Sequence, residues 1–117
     1  MIPIRGVLDS LVLAVLADAP AHGYAISARL EELGAGEIAG GTLYPVLKKL
    51  DKAGFINADW ELGESGPARK VYLLTKEGKA HLAEQRTAWQ QTRALVDQIL
   101  LNESVGGVAA ANGKAAS

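Results

Sequence analysis

The chain contains no cysteine, which removes disulfides, thiolate metal sites and a thiol nucleophile at once. It also lacks a long apolar run: the longest, Leu11 to Ala17, falls far short of the roughly 20 residues that span a bilayer. Arg5 alone supplies positive charge ahead of that run and Asp9 interrupts it, so no secretory leader is expected and the cytosol is the expected location. An excess of positive charge is missing too. Lys and Arg number 12 against 13 Asp and Glu, and the first 75 residues carry seven cations against nine acids. Any nucleic-acid affinity must therefore come from local clustering, and five of those seven cations do cluster, as Lys48/Lys49/Lys52 and Arg69/Lys70. Ser, His and Asp occur without a nucleophile elbow or a phosphate loop, so no catalytic residue, cofactor or enzyme activity is predicted.

What remains is 117 residues with 49% hydrophobic and 21% charged side chains, the balance of one globular domain. Leu8, Leu11, Val12, Val15 and Leu16 recur at helical spacing and predict a first helix, ended by Asp18-Ala19-Pro20. A second helix is expected from about His22 to Leu33, with Ile26, Leu30 and Leu33 inward and Gly34 and Gly36 as stops. The third runs from about Gly41 to Gly54. Its face of Leu43, Val46, Leu47 and Leu50 turns Pro45, Lys48, Lys49 and Lys52 outward, with Thr42 as the expected N-cap and Pro45 in the first turn.

Alternation of Ile56, Ala58, Trp60 and Leu62 with polar residues predicts a strand. Gly63 to Pro67 reads as a turn, and Arg69 to Leu74 as the returning strand with either face able to be buried. Thr75 opens a final helix to about Leu101, carrying Leu82, Trp89 and Val96 at intervals of seven. From Asn102 the Gly/Ala-rich chain is expected to be a disordered tail.

Three short helices, a two-stranded wing and a long helix make a mainly α (α+β) winged helix-turn-helix. In it the third helix can enter a major groove. The expected division is 1–75 for the DNA-binding domain, 76–101 for a dimerisation helix and 102–117 for the tail.

Three spaced motifs now stand out: Pro20-Ala21-His22-Gly23-Tyr24; Gly41-Thr42-Leu43-Tyr44-Pro45-Val46-Leu47-Lys48-Lys49-Leu50 followed by Gly54-Phe55-Ile56; and Arg69-Lys70-Val71-Tyr72-Leu73-Leu74-Thr75 with Gly78. Over roughly residues 7 to 100 the chain resembles the PadR-like transcriptional regulators. The resemblance implies a homodimeric repressor on a near-palindromic double-stranded DNA operator, the long C-terminal helix and the first helix forming the dimer contact. Two departures bear on base readout. Ala39-Gly40 stand where a serine often precedes the Gly-Thr-Leu-Tyr-Pro run, and Lys48 and Lys49 stand where arginine is common. Lysine anchors phosphate but lacks the fork that reads guanine.

The candidate DNA-binding residues are Tyr24, Thr42, Tyr44, Pro45, Lys48, Lys49, Lys52, Arg69 and Lys70. The lysines suit either a solvated face or phosphate contact. Tyr24 and Tyr44 suit either packing or the DNA, and Arg69 and Lys70 either edge protection or a DNA-contacting wing. Leu82, Gln85, Trp89, Thr92 and Val96 are candidates for the dimer interface, where paired Trp89 indoles could either pack or sandwich a small aromatic effector, as in multidrug-sensing relatives the chain resembles. Glu77, His81 and Glu84 or Gln85 share a helix face, but no second ligand cluster accompanies them, so His81 is read as a surface residue and no metal is expected. A winged-helix module for protein–protein contact, without its own operator, is the alternative.

Overall fold

The computed structural model describes residues 5–63 and 66–102. The turn residues Glu64 and Ser65 and the expected tail beyond Asn102 lie outside them. A short 3₁₀ turn, Arg5–Val7, leads into α1 (Leu8–Asp18), followed by β1 (Ala21–His22), α2 (Gly23–Leu30), α3 (Gly40–Lys52), β2 (Ile56–Glu61), β3 (Arg69–Leu74) and α4 (Lys76–Leu100). The chain divides into two compact units, residues up to Ala83 and residues from Glu84 on, so the first turns of α4 belong with the winged helix.

The core of the first unit is aliphatic. α1 packs against α2, α3 and β3, and it buries Leu13 as well as Leu8, Val12, Val15 and Leu16, so nearly all its circumference is enclosed. Ile26 and Leu30 of α2 and Leu43, Leu47 and Leu50 of α3 meet it. At about 1.5–3 kcal/mol per buried aliphatic side chain, this cluster is the main source of stability.

α2 ends sooner than its pattern predicts. After Leu30 the chain widens into a π-type turn over Glu31–Ala35, and Gly34 turns it out at φ 100°. Leu33 is consequently exposed instead of inward. α3 begins two residues early, at Gly40. Its N-cap is Ala39, which has no side chain to contribute; instead its carbonyl accepts the amides of Thr42 (2.9 Å) and Leu43 (3.0 Å). Thr42 is therefore the third helical residue and Pro45 the sixth, inside the helix. The other end follows expectation: Gly54 at φ 85° lets Phe55 N–H reach Leu50 O and Gly54 N–H reach Asp51 O, both at 3.0 Å, in a Schellman closure.

β2 and β3 form the expected hairpin, with Ile56 opposite Leu74, Ala58 opposite Tyr72 and Trp60 opposite Lys70. The buried face of β3 is the one carrying Tyr72 and Leu74. A third strand, unforeseen in the sequence, joins this wing: β1 pairs antiparallel with β3, giving the order β1-β3-β2. Burial pushes the Tyr72 phenol above its ordinary pKa, with Tyr44 and the Asp51 carboxylate adding to the shift.

Thr75 ties the helices to the hairpin. Its hydroxyl donates to Gly54 O (2.7 Å) and accepts Gly78 N–H (2.9 Å) as the N-cap bond of α4, while its own amide donates to Phe55 O (3.1 Å). Thr75→Val removes both hydroxyl bonds at nearly constant volume. It is expected to cost about 2 kcal/mol in urea unfolding, and Thr75→Ser is expected to restore most of it.

Candidate nucleic-acid interface

The deep burial of Leu43, Leu47 and Leu50 fixes the roll of α3. Tyr44, Pro45, Lys48, Lys49 and Lys52 are exposed and Thr42 is half-buried, so the expected outward face is present. Pro45, Lys48, Lys49, Lys52 and Ala53 line one shallow, open hollow along it. The three lysines are not equivalent. Lys49 reaches back to α1, its ammonium 2.6 Å from Asp9 Oδ2, whereas Lys48 and Lys52 form no ion pair among the described residues. The Asp9 pairing spans 40 positions of sequence, and no local pattern announces it.

Two of the motifs meet in space. A Cβ placed on Gly23 would lie 2.6 Å from the Tyr44 hydroxyl and 2.9 Å from its ring, and one on Gly40 would lie 3.4 Å from the ring. The phenol ring therefore lies across the start of α2, and glycine at 23 leaves it room. Tyr44 accordingly combines both roles the sequence left open, packing against α2 while 51% exposed. Tyr24, next to Gly23, is 80% exposed, so its core alternative is excluded.

In the wing, cross-strand partners share a face. Arg69 stands opposite Glu61, on the face that also carries Asp59 and His22. His22, expected to serve as a helix cap or turn residue, occupies the N-cap position of α2 without a side-chain cap bond. Its ring crosses to the wing instead, with Nδ1 3.0 Å from Lys70 O and Nε2 3.2 Å from Glu61 Oε1. Lys70 lies on the other face, its ammonium 5.8 Å from the centre of the Trp60 ring. Trp60 was expected inward by alternation, yet it is 66% exposed because the strand runs past the end of the core.

On α4, Leu82, expected on the interface, is instead taken up by the core of its own protomer. Gln85 is half-buried, Thr92 and Val96 are exposed, and Trp89 is 51% exposed. Leu95, Ile99 and Leu100 add to this bare apolar surface. His81 stacks on Phe55, the rings 4.1 Å apart and 7° from parallel. No cluster of three or more metal-ligating side chains occurs among the described residues. None of the described helices is long and apolar enough to cross a membrane.

Helices α1 to α3 with the antiparallel wing constitute a winged-helix DNA-binding fold, with the outward face of α3 as its exposed surface. The model of the transcriptional regulator PadR-like family matches residues 12–84, and the chain belongs to that family. It is 36% identical to a PadR family transcriptional regulator from Eggerthella lenta, whose crystal structure matches with a TM-score of 0.75 over 82% of this chain and 83% of that one. Transcriptional regulator Rv3488 of Mycobacterium tuberculosis is 34% identical over 80 residues, 68% of this chain and 73% of that protein. An uncharacterized protein X of Lysinibacillus sphaericus is 33% identical over 96 residues, covering 80% and 88% of the two chains. The protein is a transcriptional regulator and not an enzyme.

Proposed function

We propose that this regulator is a cytoplasmic homodimeric repressor that inserts α3 of each protomer into successive major grooves of a near-palindromic operator. The observation that carries the reading is the outward face of α3, where Lys48 and Lys52 stand exposed and unpaired among the described residues on a helix whose opposite side is wholly buried. Within it, Lys48, Lys49 and Lys52 anchor phosphates, Thr42 and Tyr44 reach phosphates or base edges beside Pro45, Tyr24 contacts the backbone from α2, and the wing adds Arg69 and Lys70. The exposed apolar side chains of α4 beyond Ala83, with Trp89 and Val96 among them and Gln85 and Thr92 as polar neighbours, form the dimer contact. The DNA-binding domain is residues 1–75 and the dimerisation helix 76–101. A planar aromatic effector held between the paired Trp89 indoles shifts the spacing of the two α3 helices and releases the DNA.

Sedimentation equilibrium and fluorescence anisotropy with the duplex upstream of the gene test this. A dimer whose affinity falls steeply with salt supports the reading through counterion release. A monomer, or salt-insensitive binding to a protein partner only, defeats it. Quenching by planar aromatic cations must be read in a Trp60→Phe background, because Trp60 is itself exposed.

Asp9 competes with phosphate for Lys49. Asp9→Asn is therefore expected to tighten operator binding by about two- to fivefold, the range an exposed ion pair supports. The slope of log K against log salt is expected to steepen by about 0.9, one additional phosphate contact.

A further inference from the structure

The wing has two chemically different faces. One carries Asp59, Glu61 and Arg69, with His22 from β1, and there the Arg69 charge stands opposite a carboxylate that also receives His22. The other carries Ile56, Ala58 and Trp60 on β2 and Lys70, Tyr72 and Leu74 on β3. At its inner end this face is core: Ile56 and Tyr72 are buried, and Tyr72 lies close enough to Tyr44 and Asp51 of α3 for their charges to act on it. Two residues further out, the same face emerges from the core with Trp60 and Lys70 directly opposite each other.

An exposed indole in solution costs hydration free energy, and a lysine at 5.8 Å from its ring is held over it instead of roaming. The pair presents one flat apolar surface and one cation, on the wing face continuous with the packing of α3. The acids lie on the opposite face. A polyanion with apolar edges matches this surface. Duplex DNA is such a ligand, its minor groove walled by sugars and edged by phosphates.

We propose that Trp60 and Lys70 form the wing's DNA contact, Trp60 lying against the sugar edges of the minor groove beside the major groove occupied by α3, and Lys70 on the flanking phosphate. Arg69, facing Glu61, contributes little. The assignment rests on the reading of α3 as the major-groove element.

The test uses the full chain labelled with 5-fluorotryptophan, both tryptophans retained, and duplexes enriched by the wild-type protein from a random library. Trp60→Phe assigns the two fluorine resonances. Saturating duplex is expected to shift the Trp60 line and cut its exposure to solvent. Trp60→Ala is expected to weaken binding roughly five- to tenfold with an unchanged salt slope, whereas Lys70→Gln lowers the slope by about 0.9. Arg69→Gln is expected to change affinity less than twofold. A bound duplex that leaves the Trp60 line unmoved, or an Arg69→Gln effect equal to that of Lys70→Gln, overturns the wing assignment alone. Failure to enrich any duplex overturns the reading of α3 as well.

Discussion

Gly78→Ala is expected to lose about 3 kcal/mol or more of stability, lowering the melting temperature by roughly 15 °C or more. A Cβ at this position would sit 2.0 Å from Phe55 O, 2.7 Å from Leu74 Cδ1 and 2.9 Å from Phe55 C. The first and third of these are backbone atoms and cannot rotate away. Moving the Phe55 carbonyl breaks the bond it accepts from Thr75 N–H, and moving Gly78 breaks the N-cap bond to Thr75 Oγ1. No small adjustment relieves the overlap, so the join between α3, the hairpin and α4 must open. A domain of this size has only about 5–15 kcal/mol in total, so much of the chain is expected to be unfolded at physiological temperature. Gly41→Ala is the control. A Cβ there meets nothing within 4 Å, and the better helix former is expected to leave stability unchanged or raise it by up to about 1 kcal/mol. Circular dichroism melts of the two variants decide the matter; equal melting temperatures would refute the steric account.

The second large effect is on DNA. Replacing Lys48 and Lys52 together by glutamate is expected to weaken operator binding by at least about a hundredfold at moderate salt, since two phosphate anchors become two repulsions. The protein should stay folded, because both side chains are exposed and neither forms an ion pair among the described residues. Gln at both positions is expected to give an intermediate loss and a salt slope shallower by about 1.8, two contacts at 0.9 each. Anisotropy titrations over a salt series measure both quantities. An affinity that survives the double reversal would remove α3 as the DNA-contacting helix.

Much of this architecture was legible because its elements are long and their apolar spacing is regular. Leu43, Leu47 and Leu50 announce both the existence of α3 and which side faces out, and that carries the outward lysines with it. The misreadings share a cause, namely backbone or tertiary contacts without a side-chain signature. Ala39 caps α3 with a carbonyl, which a search for Ser, Thr, Asp or Asn overlooks. β1 is two residues long and exists only because β3 runs beside it. Trp60 obeys the alternation of its strand, but the core ends before it does. Lys49 looks equivalent to Lys48 until Asp9 is brought next to it by the packing of α1 on α3. Gly23 is silent in sequence, and its role appears only once the Tyr44 ring is in place above it.

The hydrogen bond from Thr75 N–H to Phe55 O has a consequence for how this protein tolerates change in length. The chain departs at Phe55 and returns at Thr75 to a point it has scarcely left, so the hairpin between them is a closed excursion from a sealed neck. Residues added or removed at its outer end alter its reach without altering the ends of α3 and α4 that the neck holds together. Loop closure changes slowly with loop length, by only about 0.6 kcal/mol per doubling. The wing can thus be shortened, extended or exchanged as a cassette, and its reach along a groove is open to variation independently of the helices that carry it.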